Sequence, residues 1–248
     1  MGVSSFYQIL WLASALLAAA VIARIFQQRL FLRPLKSFAF MLAVVLLRDA
    51  ILSVPGYDTH AYTAVWEWTL PAVLLAQIWV GLDTLKAVAR LYPKIGKFAV
   101  RLFLVCLAIT VTVCCVGLPF ELHRVQGQEA LLRVLFLLHR SVDSWIAGTL
   151  ILVSAFFACF PAPLKQPPRN LVLHTTLLSL YFGGYAILFF AENLAPLGAM
   201  AVLEHLQFIL VVLLYAAWTI FLSKRGQATE PWPQLDVMVF RPAPRPSS

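Results

Sequence analysis

An all-α integral membrane bundle of seven helices is predicted for this chain by three observations. Seven apolar runs, each close to the length of a bilayer-crossing helix, fill most of its 248 residues. The composition, 61% hydrophobic against 12% charged with a mean hydropathy of +0.85, excludes a soluble globular domain, in which roughly a quarter of the residues would be charged. Lys and Arg collect in alternate connectors, the pattern that orients membrane helices. The net charge of +8 therefore reads as orientation, and no nucleic-acid partner is expected.

The spans are placed at about 5–26, 37–55, 62–83, 98–118, 134–158, 171–191 and 201–222, giving one transmembrane domain over 1–225. No Lys or Arg precedes the first span, and Arg24 and Arg29 follow it. That is the polarity of an N-out anchor and the reverse of a cleaved signal peptide. Position 6, where a myristoylation site would carry Ser or Thr, is Phe6. The connector after span one carries Arg24, Arg29, Arg33 and Lys36, and the one after span three carries Lys86, Arg90, Lys94, Lys97 and Arg101. Lys165 and Arg169 follow span five, and Lys224 and Arg225 follow span seven, whereas 56–61 and 192–200 contain neither Lys nor Arg. Only 119–133 is mixed, with Arg124 and Arg133 against Glu121 and Glu129. The N-terminus is expected outside and the C-terminus in the cytoplasm. Pro-rich residues 226–248 read as a disordered cytoplasmic tail. Cys106, Cys114, Cys115 and Cys159 show no metal or disulfide spacing and read as apolar packing. Small residues at Ala15, Ala19 and Ala23 in span one, and at Ser179 and Gly183 in span six, permit close helix approach.

Chemistry is expected among ionisable residues inside the spans. Arg48 and Asp49 lie about 10–12 residues, or roughly 15–18 Å, from the cytoplasmic end of span two. Each of the two opposes insertion by about 2.5–3.5 kcal/mol, while an apolar residue returns only about 0.3–0.6, so span two is close to break-even unless both face the bundle interior. Glu67 enters span three from the outside. His139, Arg140 and Asp143 share one face of span five, and Glu204 and His205 open span seven, with Glu192 at the outer end of span six. All converge on the outer leaflet, with an excess of carboxylate. An outward-facing pocket for a small cationic or hydrogen-bond-donating ligand, a protonatable relay, and a mutually paired network that only fastens the bundle all fit this pattern. Tyr62, Trp66 and Trp145 are candidate pocket walls within what is otherwise an interfacial aromatic belt, and Pro71 is expected to kink span three.

His139 and His205 lie at similar depth on two helices, which admits haem ligation as an alternative without any supporting motif; no other cofactor and no metal is expected. His60, His123 and His174 fall in loops or at a span end and carry no signal. Span seven has no lysine for a retinal Schiff base, and Gly-x-Ser-x-Gly, His-Glu-x-x-His and P-loop motifs are absent, so no enzymatic activity is indicated. Pro233-Gln234, the sole Pro-Gln pair, lies in the tail, outside any PQ-loop setting.

Over the first six spans, the Arg48-Asp49 end of span two, Tyr62-x-x-x-Trp66-Glu67 and the basic connector after span three resemble a loose group of small, uncharacterised bacterial seven-helix membrane proteins. The resemblance implies a membrane family without an assigned activity, which supports the topology and adds no mechanism; an inner (plasma) membrane location is the expectation for the chain as a whole. The expected function is ligand binding or sensing from the outer face, signalling to a cytoplasmic partner through the basic stretch 86–101. A small-solute or proton-coupled transporter would need polar groups across the cytoplasmic half. There the sequence offers little beyond Asp83 and hydroxyls such as Ser154 and Thr219, which favours a dead-end pocket. A structural subunit binding another membrane protein is the third expectation.

Overall fold

The computed structural model describes residues 2–30, 32–53, 60–124, 128–159, 167–194 and 200–227; the tail expected over 226–248 falls almost wholly outside them. Seven α-helices, α1 (Gly2–Gln27), α2 (Arg33–Leu52), α3 (His60–Leu91), α4 (Pro93–Arg124), α5 (Gln128–Cys159), α6 (Arg169–Leu194) and α7 (Met200–Phe221), are followed by a 3₁₀ turn at Arg225–Gln227. There is no strand among the described residues. Each helix packs on its neighbours in the chain, α1 packs on α7, and α3 also reaches α5. The result is a closed ring of helices around a shared interior.

Six helices are long and apolar enough to cross a membrane. The one that does not qualify is α2, whose 20 residues include Arg33, Lys36, Arg48 and Asp49. Its packing between α1 and α3 supplies the neighbours that its charges require. Large apolar side chains stay exposed on the outside of the ring, among them Leu16, Ile109, Ile187 and Leu213, as suits a lipid bilayer.

Two basic connectors are built differently from the loops expected. α1 ends in a Schellman motif. Arg29 takes a left-handed φ of 50°, its N–H donates to the Phe26 carbonyl at 3.0 Å, and the Leu30 N–H donates to the Ile25 carbonyl at 2.9 Å. Ile25 and Leu30 bury against the core on either side of this turn. The stretch from 84 to 97, expected as a loop, is almost wholly helical: α3 runs to Leu91 and α4 starts at Pro93, leaving only Tyr92 between them. Nothing between Gly81 and Tyr92 breaks a helix, and Pro93 is suited to the first turn of a new one. Asp83 and Thr84 thereby sit two turns inside α3, not at its end.

At that same end of the ring, α6 and α1 hold the end of α7. The Asn170 side-chain amide donates to the Ser223 carbonyl at 2.7 Å, and Arg24 Nε donates to the Leu222 carbonyl at 3.1 Å. These bonds satisfy carbonyls that the helix terminus leaves open. The small residues of α6 face α5: Ser179 lies 3.2 Å from Ser154 through their hydroxyls, and a Cβ on Gly183 would meet Ile151 at 3.8 Å. Their close approach is therefore within the bundle, whereas Ala19 and Ala23 of α1 are exposed.

Candidate functional site

Arg48 of α2 and Arg140 of α5 are half-buried against aromatic faces of neighbouring helices. The Arg48 guanidinium lies over the Trp66 ring of α3, 4.9 Å from its centroid, and Trp66 in turn stacks on Phe136 of α5 at 4.8 Å. The Arg140 guanidinium lies over the Phe189 ring of α6 at 5.2 Å. A desolvated cation–π contact of this kind is worth about 2 kcal/mol, which offsets much of the burial of each arginine. Asp49 is half-buried beside Arg48 and within its electrostatic reach, and Glu67 is half-buried next to Trp66.

Asp143 lies deepest, 1% exposed, with His139 one turn before it on α5. His139 Nε2 stands 3.5 Å from Asp143 Oδ2, and the imidazole meets Phe189 edge-on at 5.9 Å. Neither Asp143 oxygen has a hydrogen-bond partner among the described residues. On the α6 side stand Tyr185 and Tyr181, whose rings are 4.9 Å apart, and Tyr181 stacks on Tyr215 of α7 at 6.2 Å. The three hydroxyls share hydrogen bonds through Tyr181. Arg48, Asp49, Trp66, His139, Arg140 and Asp143 are thus placed in one region by α2, α3, α5 and α6.

Other expected members lie apart from it. Glu204 is exposed, and His205 stacks on Phe6 of α1 at 5.5 Å. His139 and His205 therefore have separate ring neighbours, and no group of three metal-ligating side chains occurs among the described residues. Trp145 donates from Nε1 to Thr110 Oγ1 of α4 at 3.0 Å, on a face of α5 away from Asp143's neighbours. The side chains of Tyr62 and Glu192 lie outside the described residues.

A second polar layer occupies the other half of the ring, where the sequence suggested little polarity. Gln77, Asp83 and Thr84 of α3 are buried, as are Asn170, His174 and Thr175 of α6. His174, 0% exposed, has its Nε2 3.4 Å from Thr84 Oγ1. Arg33 Nε pairs with Asp83 Oδ1 at 3.2 Å, joining α2 to α3. Trp218 of α7 separates the two layers: its ring is 6.1 Å from His174, 4.5 Å from Phe38, 6.2 Å from Tyr215 and 6.5 Å from Tyr181. His174 is thus an interior residue and not an uninformative one.

The residues that sequence reading missed carry a periodic signal. His174, Tyr181, Tyr185 and Phe189 recur at intervals of seven, four and four, within about 80° of one another on α6 at 100° per residue. Gln77 and Thr84 likewise share one face of α3 with Leu70. Attention to full charges alone passes over such stripes of neutral hydrogen-bonding groups.

No protein-family model matches the chain, and no curated protein or solved structure matches it significantly.

Proposed function

We propose that all seven helices cross the bilayer, with the N-terminus outside, and that Asp143 and His139 form the floor of a binding site entered from the outer side. Its ligand is a small cationic or hydrogen-bond-donating molecule, and the protein senses that ligand. One observation carries the reading: a carboxylate at 1% exposure whose oxygens accept no hydrogen bond among the described residues and whose nearest ionic partner is an imidazole at 3.5 Å. A carboxylate that serves only to fasten helices is expected to accept donors from a neighbouring helix, because leaving it unsatisfied costs more than pairing it gains. Here its partner is on its own helix, and the nearby guanidinium groups lie over aromatic rings. A ligand donor would complete the site. The aromatic series Tyr185, Tyr181, Tyr215 and Trp218 supports a sensing role, since it leads from this floor to His174 near the basic end of the bundle.

The buried groups around His174 favour a second reading, proton-coupled or small-solute transport, by supplying the polarity that a path through the cytoplasmic half requires. Purified protein is to be screened for thermal stabilisation by small amines and neutral hydrogen-bond donors, beside Asp143→Asn. Binding at the floor predicts that at least one compound raises the wild-type Tm by several degrees and leaves the variant unmoved, as stabilisation by mass action requires. Equal shifts in both proteins would remove Asp143 from the site. Net solute or proton movement by reconstituted protein would replace sensing by transport.

A further inference from the structure

A separate feature lies at the start of α4. Pro93, Lys94, Lys97, Phe98 and Arg101 line an open cleft of about 350 Å³, remote in sequence from the Asp143 floor. Lys94, Lys97 and Arg101 recur at i, i+3 and i+7, which places them within about 60° of one another around the helix. None of the three forms an ion pair with an acidic side chain among the described residues. The cleft is therefore cationic and open to a ligand charge.

The helix continues from this cleft into an apolar ridge. Phe98 is 58% exposed, and Leu102, Val105 and Ile109 follow it on the same side, all exposed. Their spacing of four, three and four residues keeps the ridge in line along roughly 16 Å of helix. Charge and ridge together ask for an amphiphile with a negative head and an extended apolar tail. A free phosphate would use only the basic half.

We propose that this surface is a binding site for an anionic glycerophospholipid, its phosphodiester held by Lys94, Lys97 and Arg101 and an acyl chain laid along Phe98, Leu102, Val105 and Ile109. The long side chains of the three cations lie at the level where a helix leaves the hydrocarbon, and each reaches for headgroups without leaving the helix face. The proposal is independent of the ligand assigned to Asp143, because it shares no residue with that site. Lipid bound here would brace the α3–α4 corner from outside.

The test is native mass spectrometry of detergent-purified full chain with phosphatidylglycerol or phosphatidylcholine added at equal concentration. Wild type is expected to retain phosphatidylglycerol about tenfold better, the scale set by several cations acting on one headgroup. Replacing all three cations (Lys94→Gln, Lys97→Gln, Arg101→Gln) should bring the ratio near one without lowering thermal stability. If that variant does not fold, Lys97→Gln alone should reduce the ratio about threefold. A control with Arg169→Gln, Lys224→Gln and Arg225→Gln removes the same charge elsewhere and should keep the preference. No preference in wild type, or equal loss in the control, would overturn the proposal. Displacement of the lipid by millimolar glycerol phosphate would make the site one for free anions and overturn the lipid assignment.

Discussion

Trp218→Ala is expected to lower the stability of the bundle by about 3–5 kcal/mol, the range for truncating a large buried aromatic side chain. Trp218 is 0% exposed, the largest of the fully buried side chains, and its ring touches α2 through Phe38, α6 through His174 and Tyr181, and its own helix through Tyr215. In a bilayer the separated helices are already in an apolar solvent, so little of this loss is transfer from water. Most is packing contact that a residual cavity cannot restore. Trp68, 83% exposed on α3, supplies the comparison: Trp68→Ala should change stability by less than about 0.5 kcal/mol. Unfolding of both variants in the same detergent separates the two cases. Equal losses would mean that Trp218 is not the centre of the packing.

Gly96→Val should be nearly as damaging, for a different reason. A Cβ built on Gly96 would stand 2.2 Å from Ala89 Cα and 2.4 Å from Ala89 N, so the obstacle is backbone and no rotamer change relieves it. Tyr92 is the only residue between α3 and α4, and the two helices can fold back at that corner only because residue 96 has no side chain. Overpacking costs about 1–3 kcal/mol where side chains can give way, and about 3 kcal/mol or more is expected here. Gly117 on the same helix has nothing within 4 Å, so Gly117→Ala should be neutral or stabilising by up to about 1 kcal/mol. The pair is measured by thermal unfolding, with opposite signs expected within one helix.

The apolar periodicity is enough to locate the seven helices among the described residues, because each expected span falls on one of them, the second and the seventh running past the helix ends at Leu52 and Phe221. It was a poor guide to where helices stop. Hydropathy falls at Lys86 and Arg90 although nothing there prevents helix, so hydropathy ends span three at Asp83, two turns before α3 ends at Leu91. At the candidate site, the insertion penalty on Arg48 and Asp49 asks for inward placement, and in span five the shared face of His139, Arg140 and Asp143 asks for the same; Asp143 and His139 are buried, while Arg48, Asp49 and Arg140 are half-buried. Depth alone could not say which helices meet. His205 stacks on Phe6 of α1 and Glu204 is exposed, while α6 contributes Tyr181, Tyr185 and Phe189 through a stripe that carries no charge. Which side chains face one another around the ring requires the packing.

The central claim is that Asp143 is held in the bundle for binding and not for fastening, and the stability of Asp143→Asn in the absence of any ligand tests it most directly. Asparagine keeps the shape and replaces a carboxyl group whose oxygens have no hydrogen-bond donor among the described residues. Binding sites are commonly kept at some expense of stability, so the variant should unfold at the same temperature as wild type or higher, with His139→Gln behaving alike. A loss of about 3 kcal/mol or more, the size expected when one member of a buried charge network is removed, would contradict the claim and identify Asp143 as a structural fastening.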